Sequence, residues 1–241
     1  MVGIVIVAHS RKLAEGVKEL ADQMSQGKVS IVAAGGLDNN DTIGTSVDRI
    51  LKAINDAYHT KGVLVLMDLG SAVLSTKMAI QMLPSEKQTK IVMSEAPIVE
   101  GSIIAAVEAS IGSTLEKVDS AARNVITRAK VTGQIPLVYI KSLEVPVTEG
   151  SLAGEVVLTL TNKMGLHARP AALFVQSASK FKSNITAEKD GKKVNAKSIL
   201  GVLSLGAEKG AKIKISVDGE DKQEAIRGLK ELIENKFGEE E

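Results

Sequence analysis

Short apolar runs alternate with amphipathic stretches along the N-terminal half of the chain. Four β-branched runs predict buried parallel strands, at residues 2–7, 29–33, 63–67 and 91–93. Apolar residues with helical spacing predict helices at residues 13–24, 43–54, 73–83, 99–112 and 114–130. This alternation predicts an α/β domain with a doubly wound parallel sheet and helices on both faces.

The apolar stripes of the first two helices predict which side chains are buried. In the first helix the stripe comprises Leu13, Val17, Leu20, Ala21 and Met24. In the second helix it comprises Ile43, Val47, Ile50, Leu51 and Ile54. Both stripes are expected to pack against the sheet.

The C-terminal part of the chain has a different rhythm. Strands are predicted at residues 156–159, 185–188, around Val194 and at 211–217, and helices at 167–180, after Ser198 and at 222–235. The pairs Asp190-Gly191 and Asp218-Gly219 are turn signals. The order βαββαβα predicts an α+β open-faced sandwich, in which helices cover one face of an antiparallel sheet. Residues 238–241 are expected to be frayed.

Between these regions the periodicity fails. Prolines and glycines interrupt it, at Pro136, Pro146, Gly133, Gly150 and Gly154. We therefore predict a first domain at residues 1–131, a linker at 132–154 and a second domain at 155–241. Residues 137–140 could add a strand to either domain.

Composition narrows the classes of function. The chain has no cysteine, which excludes disulfides and thiolate metal sites, and only three histidines, so a histidine-rich metal site is not expected. A net charge of +1 and 2% aromatic residues argue against nucleic-acid binding. Since no apolar run approaches membrane-span length and no signal peptide is recognisable, we expect a cytoplasmic protein.

One histidine lies where a helix is predicted to begin. Residues 164–171 read Met-Gly-Leu-His-Ala-Arg-Pro-Ala, so Arg169 and a proline suited to a first helical turn follow His167. The free N–H groups of such a turn favour an anion, and a guanidinium matches phosphate oxygens. A lone histidine before a helix is usually a surface residue or a cap, but this combination predicts a histidine that carries a phosphoryl group.

This octapeptide resembles the active-site loop of HPr, the histidine phosphocarrier of the bacterial phosphotransferase system. The resemblance continues at residues 197–205, Lys-Ser-Ile-Leu-Gly-Val-Leu-Ser-Leu, which are similar to the second helix of HPr, and it covers the chain from about residue 155. It implies phosphorylation of His167 at Nδ1. Ser198 matches a serine that a regulatory kinase modifies in some HPr proteins, although a helix cap is the simpler interpretation.

A second histidine and a carboxylate follow two predicted strands. His9 comes after the first strand and Asp68 after the third, and these strands are neighbours in a flavodoxin-like order 2-1-3-4. A carboxylate on one ring nitrogen would leave the other as a nucleophile, and the Ser10 N–H could neutralise a phosphate. The alternative is a pair of polar strand caps, with Ser71 as the N-cap of the next helix. We interpret His59 as a solvated loop residue.

Four segments resemble the mannose-class IIA domain of the phosphotransferase system. They are Ala-His-Ser at residues 8–10, Ile-Gly-Thr-Ser at 43–46, Met-Asp-Leu-Gly-Ser-Ala at 67–72 and Ala-Pro-Ile-Val-Glu-Gly at 96–101. The similarity covers residues 1 to about 130 and is closest to the phosphotransfer subunits of phosphoenolpyruvate-dependent dihydroxyacetone kinases. It implies that His9 accepts phosphate at Nε2 and that Asp68 orients it.

The combined resemblance implies a phosphoryl relay. Phosphoenolpyruvate, through enzyme I, would phosphorylate His167, then His9, and then ADP on the partner subunit DhaL, whose ATP the subunit DhaK uses to phosphorylate dihydroxyacetone. Some members carry an enzyme I-like segment after the HPr domain, so a separate enzyme I is expected here. The implied catalytic set is His9, His167, Asp68 and Arg169. No cofactor or metal is expected in the chain, Mg-ADP is expected only on the partner, and a homodimer is expected through the IIA domain.

Two other classes of function stay open from the sequence. One is a IIA domain that feeds a sugar permease, against which the motif at residues 67–72 and the HPr fusion argue. The other is a sensor whose phosphorylation state is read by a regulator. The sequence also leaves open whether His167 passes its phosphoryl group to His9 within one chain, between chains or through free HPr.

Overall fold

The computed structural model describes residues 1–37, 42–125, 154–163 and 165–239. The chain divides into two compact units, Met1–Val125 and Ile126–Glu241. Most of the predicted linker at 132–154, the optional strand at 137–140 and Met164 of the octapeptide lie outside the described residues. Within the described ranges, no helix is long and apolar enough to cross a membrane.

Strands and helices alternate through the first unit. In chain order they are β1 (Gly3–Ala8), α1 (Arg11–Ser25), β2 (Ile31–Gly35), α2 (Val47–Ala57), β3 (Val63–Met67), α3 (Ser71–Gln81), α4 (Ser85–Gln88), β4 (Ile91–Ser94), α5 (Ile98–Ser110) and α6 (Leu115–Arg123). The strands pair in parallel in the order β2-β1-β3-β4. This order confirms the predicted doubly wound sheet.

Apolar side chains cover both faces of this sheet. Ile4 and Ile6 of β1 belong to a buried cluster with residues of α1, α5 and α6. Val5 and Val7, on the opposite face, belong to a second cluster with residues of α2 and α3. A strand buried on both faces is continuously apolar, which explains why β1 reads Gly-Ile-Val-Ile-Val-Ala.

Three residues of the predicted helical stripes are exposed. Leu13 and Leu20 are 41% and 43% exposed, because the buried face of α1 is formed by Ala14, Val17, Ala21, Met24 and Ser25. This face is centred on the small residues one position after each leucine, so the leucines lie at its edge. Ile43 precedes α2 and is 65% exposed in a loop. The assignment of these three residues to the buried stripes was therefore wrong.

The second unit is built on an antiparallel sheet. Its elements are β5 (Gly154–Thr159), α7 (Ala168–Ala178), β6 (Asn184–Lys189), β7 (Lys192–Asn195), α8 (Ile199–Ser204), β8 (Lys212–Asp218) and α9 (Lys222–Glu234). The strand order is β5-β8-β6-β7 with antiparallel pairing throughout. This confirms the predicted βαββαβα sandwich. Asp190 and Gly191, both with positive φ (51° and 80°), form the predicted hairpin turn between β6 and β7.

One face of this second sheet is buried. Ile213, Ile215 and Val217 of β8 have no exposed surface and alternate with partly or fully exposed neighbours. Such period-two burial is typical of a sheet with helices on a single face. The helices α8 and α9 pack against strands of this sheet, and α7, which begins immediately after His167, packs against both of these helices.

The chain beyond α9 is folded as far as it is described. Residues Lys236–Gly238 form a single 3₁₀ turn, and the side chain of Phe237 is 3% exposed. Burial of this aromatic ring holds the following residues against the unit. The expectation that the tail is frayed is therefore wrong for Gly238 and Glu239, while residues 240–241 lie outside the described part of the chain.

Candidate functional site

His9 and Asp68 lie beyond the carboxyl ends of the two central strands of the first unit. Since β1 and β3 pair directly, with Val7 opposite Met67, the residues that follow the strands are neighbours. Asp68 Oδ2 accepts a hydrogen bond from the backbone N–H of His9 at 2.8 Å, and Oδ1 lies 2.9 Å from Nδ1 of the ring. The structure thus brings the two predicted site residues together, and their part in phosphoryl transfer stays a prediction.

The Asp68 contact determines the tautomer of the His9 ring. An ionised carboxylate only accepts hydrogen bonds, so Nδ1 is the donor and Nε2 of the neutral ring carries the lone pair. Nε2 lies 2.8 Å from the hydroxyl oxygen of Ser71, which is then the donor of that bond. The ring is therefore held at both nitrogens, and the one with the lone pair points toward a hydroxyl.

Ser71 does not cap α3, contrary to the alternative interpretation of this residue. The N-cap is Gly70, and Ser71 is the first residue of the helix. Gly70 has φ 62° and ψ −118°, a conformation that residues with a side chain avoid. The turn at this glycine directs the Ser71 hydroxyl to the His9 ring instead of to the helix N–H groups.

Two further hydroxyl groups extend this contact. Thr45 Oγ1 lies 3.2 Å from Ser71 Oγ and 2.9 Å from Ser75 Oγ. The loop that carries Thr45 is attached to the site because the Gly44 N–H donates to the His9 carbonyl at 3.0 Å. In the sequence Thr45 stood only within one of the resembling motifs, and Ser75 stood in none of them. No local pattern distinguishes either hydroxyl from those of other surface residues.

The residues around His9 include a helix start and an apolar side chain. Ser10 is the N-cap of α1, and its hydroxyl accepts a hydrogen bond from the Leu13 N–H at 3.3 Å. The amino-terminal end of α1 therefore lies one residue beyond His9. Leu69, next to Asp68, is 84% exposed.

His59 is exposed in the loop after α2, which confirms its interpretation as a loop residue.

His167 occupies the N-cap position of α7 in the second unit. Its side chain makes no hydrogen bond to the first helical turn. Arg169, the second residue of the helix, is exposed and makes no ion pair or hydrogen bond with the residues that the structure describes. Pro170 follows as the third residue and is buried. The N–H groups of a first helical turn have no intrahelical acceptor. The start of α7 therefore combines a histidine, a cationic side chain and unpaired backbone donors within a few residues.

A glycine allows the loop before His167 to pack closely. Gly165 has φ 74°, and a Cβ atom on it would lie 2.1 Å from the carbonyl oxygen of Ala207. The same carbonyl accepts a hydrogen bond from the Leu166 N–H at 2.7 Å. Any larger residue at position 165 would separate this loop from the segment after α8.

The His167 ring has a carboxylate partner that the sequence did not reveal. Glu239 Oε1 lies 3.1 Å from Nε2 of His167, and Glu239 Oε2 accepts a hydrogen bond from the Asn162 side chain at 3.3 Å. Asn162 is 1% exposed and also donates to the Gly165 carbonyl at 2.8 Å. The only signal for this contact in the sequence was Phe237, an aromatic residue placed shortly before the acidic tail.

Ser198 is a helix cap in this structure. It precedes α8, and its hydroxyl accepts a hydrogen bond from the Gly201 N–H at 3.2 Å. This confirms the simpler interpretation of that serine, while its modification stays a prediction.

Comparisons with known proteins match the two units of the chain separately. The family model described as "PTS system fructose IIA component" matches residues 3–119, and the model described as "PTS HPr component phosphorylation site" matches residues 155–235. The chain is 54% identical over 82 residues to the phosphocarrier protein HPr of Xylella fastidiosa, which is 34% of this chain and 92% of that protein. A crystal structure of HPr from Thermoanaerobacter tengcongensis is 61% identical, covering 36% of this chain and 99% of its own, with a TM-score of 0.36.

One group of relatives matches the whole chain. The Escherichia coli protein named "PEP-dependent dihydroxyacetone kinase, phosphoryl donor subunit DhaM" is 33% identical over 243 residues, which is 100% of this chain and 52% of that protein. The DhaM protein of Pantoea ananatis is 34% identical, over 99% of this chain and 51% of its own length. The chain thus spans about half the length of these relatives. The chain is therefore similar to the DhaM proteins along its whole length, with a mannose-class IIA match at residues 3–119, and its residues 155–235 belong to the HPr family.

Proposed function

We propose that this chain is a cytoplasmic phosphoryl relay with two carrier histidines. Enzyme I, charged by phosphoenolpyruvate, phosphorylates His167, which passes the group to His9. His9 then delivers it to ADP bound on DhaL, and DhaK uses the resulting ATP to phosphorylate dihydroxyacetone. The likeness to DhaM proteins along the whole of this chain supports this pathway.

The observation that carries the proposal is the matching chemistry of the two histidines. Each ring has a carboxylate at one nitrogen, Asp68 at Nδ1 of His9 and Glu239 at Nε2 of His167. In each case the other nitrogen is the one that holds the lone pair of the neutral ring. Both rings also lie at or next to the start of a helix, where N–H groups favour an incoming phosphate.

Transfer to His9 follows from these contacts. The Nε2 lone pair forms a new N–P bond while the N–P bond of the donor phosphohistidine breaks, and its electron pair returns to the donor ring. The His9 ring gains positive charge, which the Asp68 carboxylate stabilises at Nδ1. The hydroxyls of Ser71 and Thr45 lie where oxygens of a phosphoryl group on Nε2 would find donors.

At His167 the charge of the phosphoryl group is balanced differently. Arg169, which is exposed and without a partner among the described residues, supplies the fork of donors that a phosphate matches. The first-turn N–H groups of α7 supply the rest. Because positioning and charge compensation carry phosphoryl transfer between imidazoles, the relay needs no metal of its own.

The ADP that accepts the phosphoryl group from His9 is assigned to the partner DhaL because this sequence lacks a nucleotide-binding motif. The sequence has no Gly-x-x-x-x-Gly-Lys motif to hold a nucleotide, so ADP and its Mg²⁺ belong to DhaL. The partners of the relay are enzyme I, DhaL and DhaK, with free HPr as the alternative intermediate carrier. The IIA domain forms the homodimer interface.

The experiment is a reconstituted relay followed by intact-mass spectrometry. Wild-type protein with enzyme I and phosphoenolpyruvate should gain phosphate on both histidines, His9→Ala only on His167, and His167→Ala on neither when free HPr is absent. Phosphorylated wild type should then lose its label to ADP-loaded DhaL as ATP appears, and added DhaK and dihydroxyacetone should yield dihydroxyacetone phosphate.

Two results would contradict the proposal. Rapid labelling of His9 in His167→Ala would overturn the order of transfer. Stoichiometric transfer to a IIB protein, with none to ADP on DhaL, would place the chain in a sugar permease pathway instead.

A further inference from the structure

The segment after α9 reverses direction and returns to His167. Lys236, Phe237 and Gly238 all have positive φ, at 52°, 57° and 72°. Two of these are residues with side chains, which adopt the left-handed conformation only at a steric cost. The buried Phe237 ring offsets that cost, so the reversal is a built feature of the unit.

This reversal places one carboxylate between two polar side chains. Glu239 is 19% exposed, less than the 35% of the His167 ring that it contacts. Its two oxygens are divided between Nε2 of His167 at 3.1 Å and the Asn162 amide at 3.3 Å. Since Asn162 is buried and also binds the Gly165 carbonyl, the carboxylate is attached to the loop that precedes the histidine.

The contact has a chemical consequence for the ring. A carboxylate accepts hydrogen bonds, so Nε2 must carry the proton and Nδ1 the lone pair of the neutral imidazole. Among the described residues, Glu239 is the only hydrogen-bond partner of the His167 ring, so nothing competes for Nδ1. At His9 the arrangement is reversed, because Asp68 binds Nδ1 and Nε2 holds the lone pair.

We propose that Glu239 is a positioning residue that selects the Nε2–H tautomer of His167 and thereby makes Nδ1 the atom that receives the phosphoryl group. This assignment rests on the proposed relay. In the step, the Nδ1 lone pair forms the N–P bond as the N–P bond of the donor phosphohistidine breaks, with its electron pair returning to the donor ring. Nε2 keeps its proton, and the positive charge on the ring faces Glu239.

The experiment compares Glu239→Gln with Glu231→Gln. Both variants remove one negative charge from the second unit, but Glu231 is exposed on α9, and its side chain makes no hydrogen bond or ion pair with the described residues. Histidine is labelled with ¹⁵N, and the ring nitrogens are read by NMR in unphosphorylated protein at a pH where imidazole is neutral. His9 and His59 serve as internal references, assigned from His9→Gln and His59→Gln.

The expected result is a loss of tautomer preference at His167 alone. Loss of a hydrogen bond to a charged group should lower the ratio of the Nε2–H to the Nδ1–H tautomer by about tenfold in Glu239→Gln. Glu231→Gln should match wild type, and Glu239→Asp, which keeps a carboxylate, should recover part of the ratio. The single-turnover rate of phosphoryl transfer from enzyme I to His167 should fall by about tenfold in Glu239→Gln, with the KM for enzyme I unchanged.

An unchanged tautomer ratio in Glu239→Gln overturns the proposal, and so does a changed ratio with an unchanged transfer rate. Failure of the relay itself is a separate result. It would appear as the absence of phosphate on wild-type His167, whereas the tautomer is measured without any phosphoryl donor and decides the role of Glu239 in either case.

Discussion

The carboxylate of Asp68 holds His9 at two points, the backbone N–H through Oδ2 at 2.8 Å and ring Nδ1 through Oδ1 at 2.9 Å. One side chain therefore fixes both the end of β1 and the direction of the imidazole. An asparagine at this position could accept only one of these bonds with its single oxygen. The pair is thus expected to be more sensitive to loss of charge than a surface ion pair would be.

We predict that Asp68→Asn slows phosphoryl transfer through His9 by about 10²-fold, the scale of a lost preorganised charge. Single-turnover transfer from phosphorylated His167 measures this, and circular dichroism checks that the fold is retained. Asp56→Asn is the control, because among the described residues the Asp56 side chain makes only an exposed ion pair with Lys52. Equal rates for wild type and Asp68→Asn would show that the carboxylate is merely a strand cap.

The hydroxyl of Ser71 should matter to the same step. In Ser71→Ala, Nε2 of His9 loses its 2.8 Å contact, and a phosphoryl group on Nε2 loses a donor. We expect transfer about tenfold slower, equivalent to one hydrogen bond of about 1.4 kcal/mol. Ser75→Ala, whose hydroxyl is two contacts beyond that of Ser71 through Thr45, should change the rate much less. If the two variants behave alike, the contact has no special role.

Gly165 offers a test of the close packing before His167. In Gly165→Ala a Cβ atom would meet the Ala207 carbonyl at 2.1 Å in a backbone with φ 74°. The combined clash and strain should cost about 3 kcal/mol or more of unfolding free energy. Gly191→Ala is matched in φ, at 80°, but has open space around the new atom, so it should cost only about 1–2 kcal/mol. Denaturant unfolding of both variants measures the difference, and equal losses would rule out the clash.

The hydrogen bonds of the Asp221 carboxylate predict that the unfolding free energy of the second unit depends on pH. Its carboxylate accepts from the Ser183 hydroxyl, from the Lys182 N–H at 2.6 Å and from the Ser183 N–H at 2.9 Å, and these bonds lower the pKa of Asp221 to about 2. A folded-state pKa below the ordinary value of 3.8 means that the stabilisation is complete above that value and is lost as the pH falls toward about 2.

Asp221→Asn should therefore be less stable than wild type at neutral pH, with the difference in Tm shrinking as the pH falls from about 4 to about 2. Thermal unfolding across this range tests the expectation. A difference in Tm that stays constant with pH would mean that the carboxylate charge is not the source of the stabilisation.

Leu69 should contribute to docking if His9 exchanges phosphoryl groups with other proteins. Its side chain is 84% exposed beside Asp68, where a partner must approach to reach Nε2. Leu69→Ser should raise the KM for the partner by about tenfold and leave kcat nearly unchanged, because the apolar area lost contributes to binding and not to the chemistry. Leu20→Ser, on α1 and 43% exposed, is the control. Equal KM values in Leu69→Ser and wild type would exclude this surface.

The sequence predicted the sheet order and the placement of His9 beside Asp68, because strand pairing follows from alternating elements and brings strand ends together. It could not predict the contacts of Ser71 and Glu239. Their directions depend on backbone turns at Gly70 and Phe237, and serine and glutamate are common on any protein surface. The exposure of Leu13 shows a similar limit for predicting burial. Hydrophobic periodicity identifies the apolar face of a helix but not the exact centre of that face.

The turn at Gly70 makes the His9 site unusually compact along the chain. Asp68 and Ser71, on either side of this turn, contact opposite nitrogens of one ring. Beyond these residues, the site requires only a histidine at the end of the neighbouring parallel strand and a helix that starts after the glycine. Four residues and one histidine are therefore a unit that protein engineers could transplant onto other doubly wound sheets to hold an imidazole with one chosen nitrogen available.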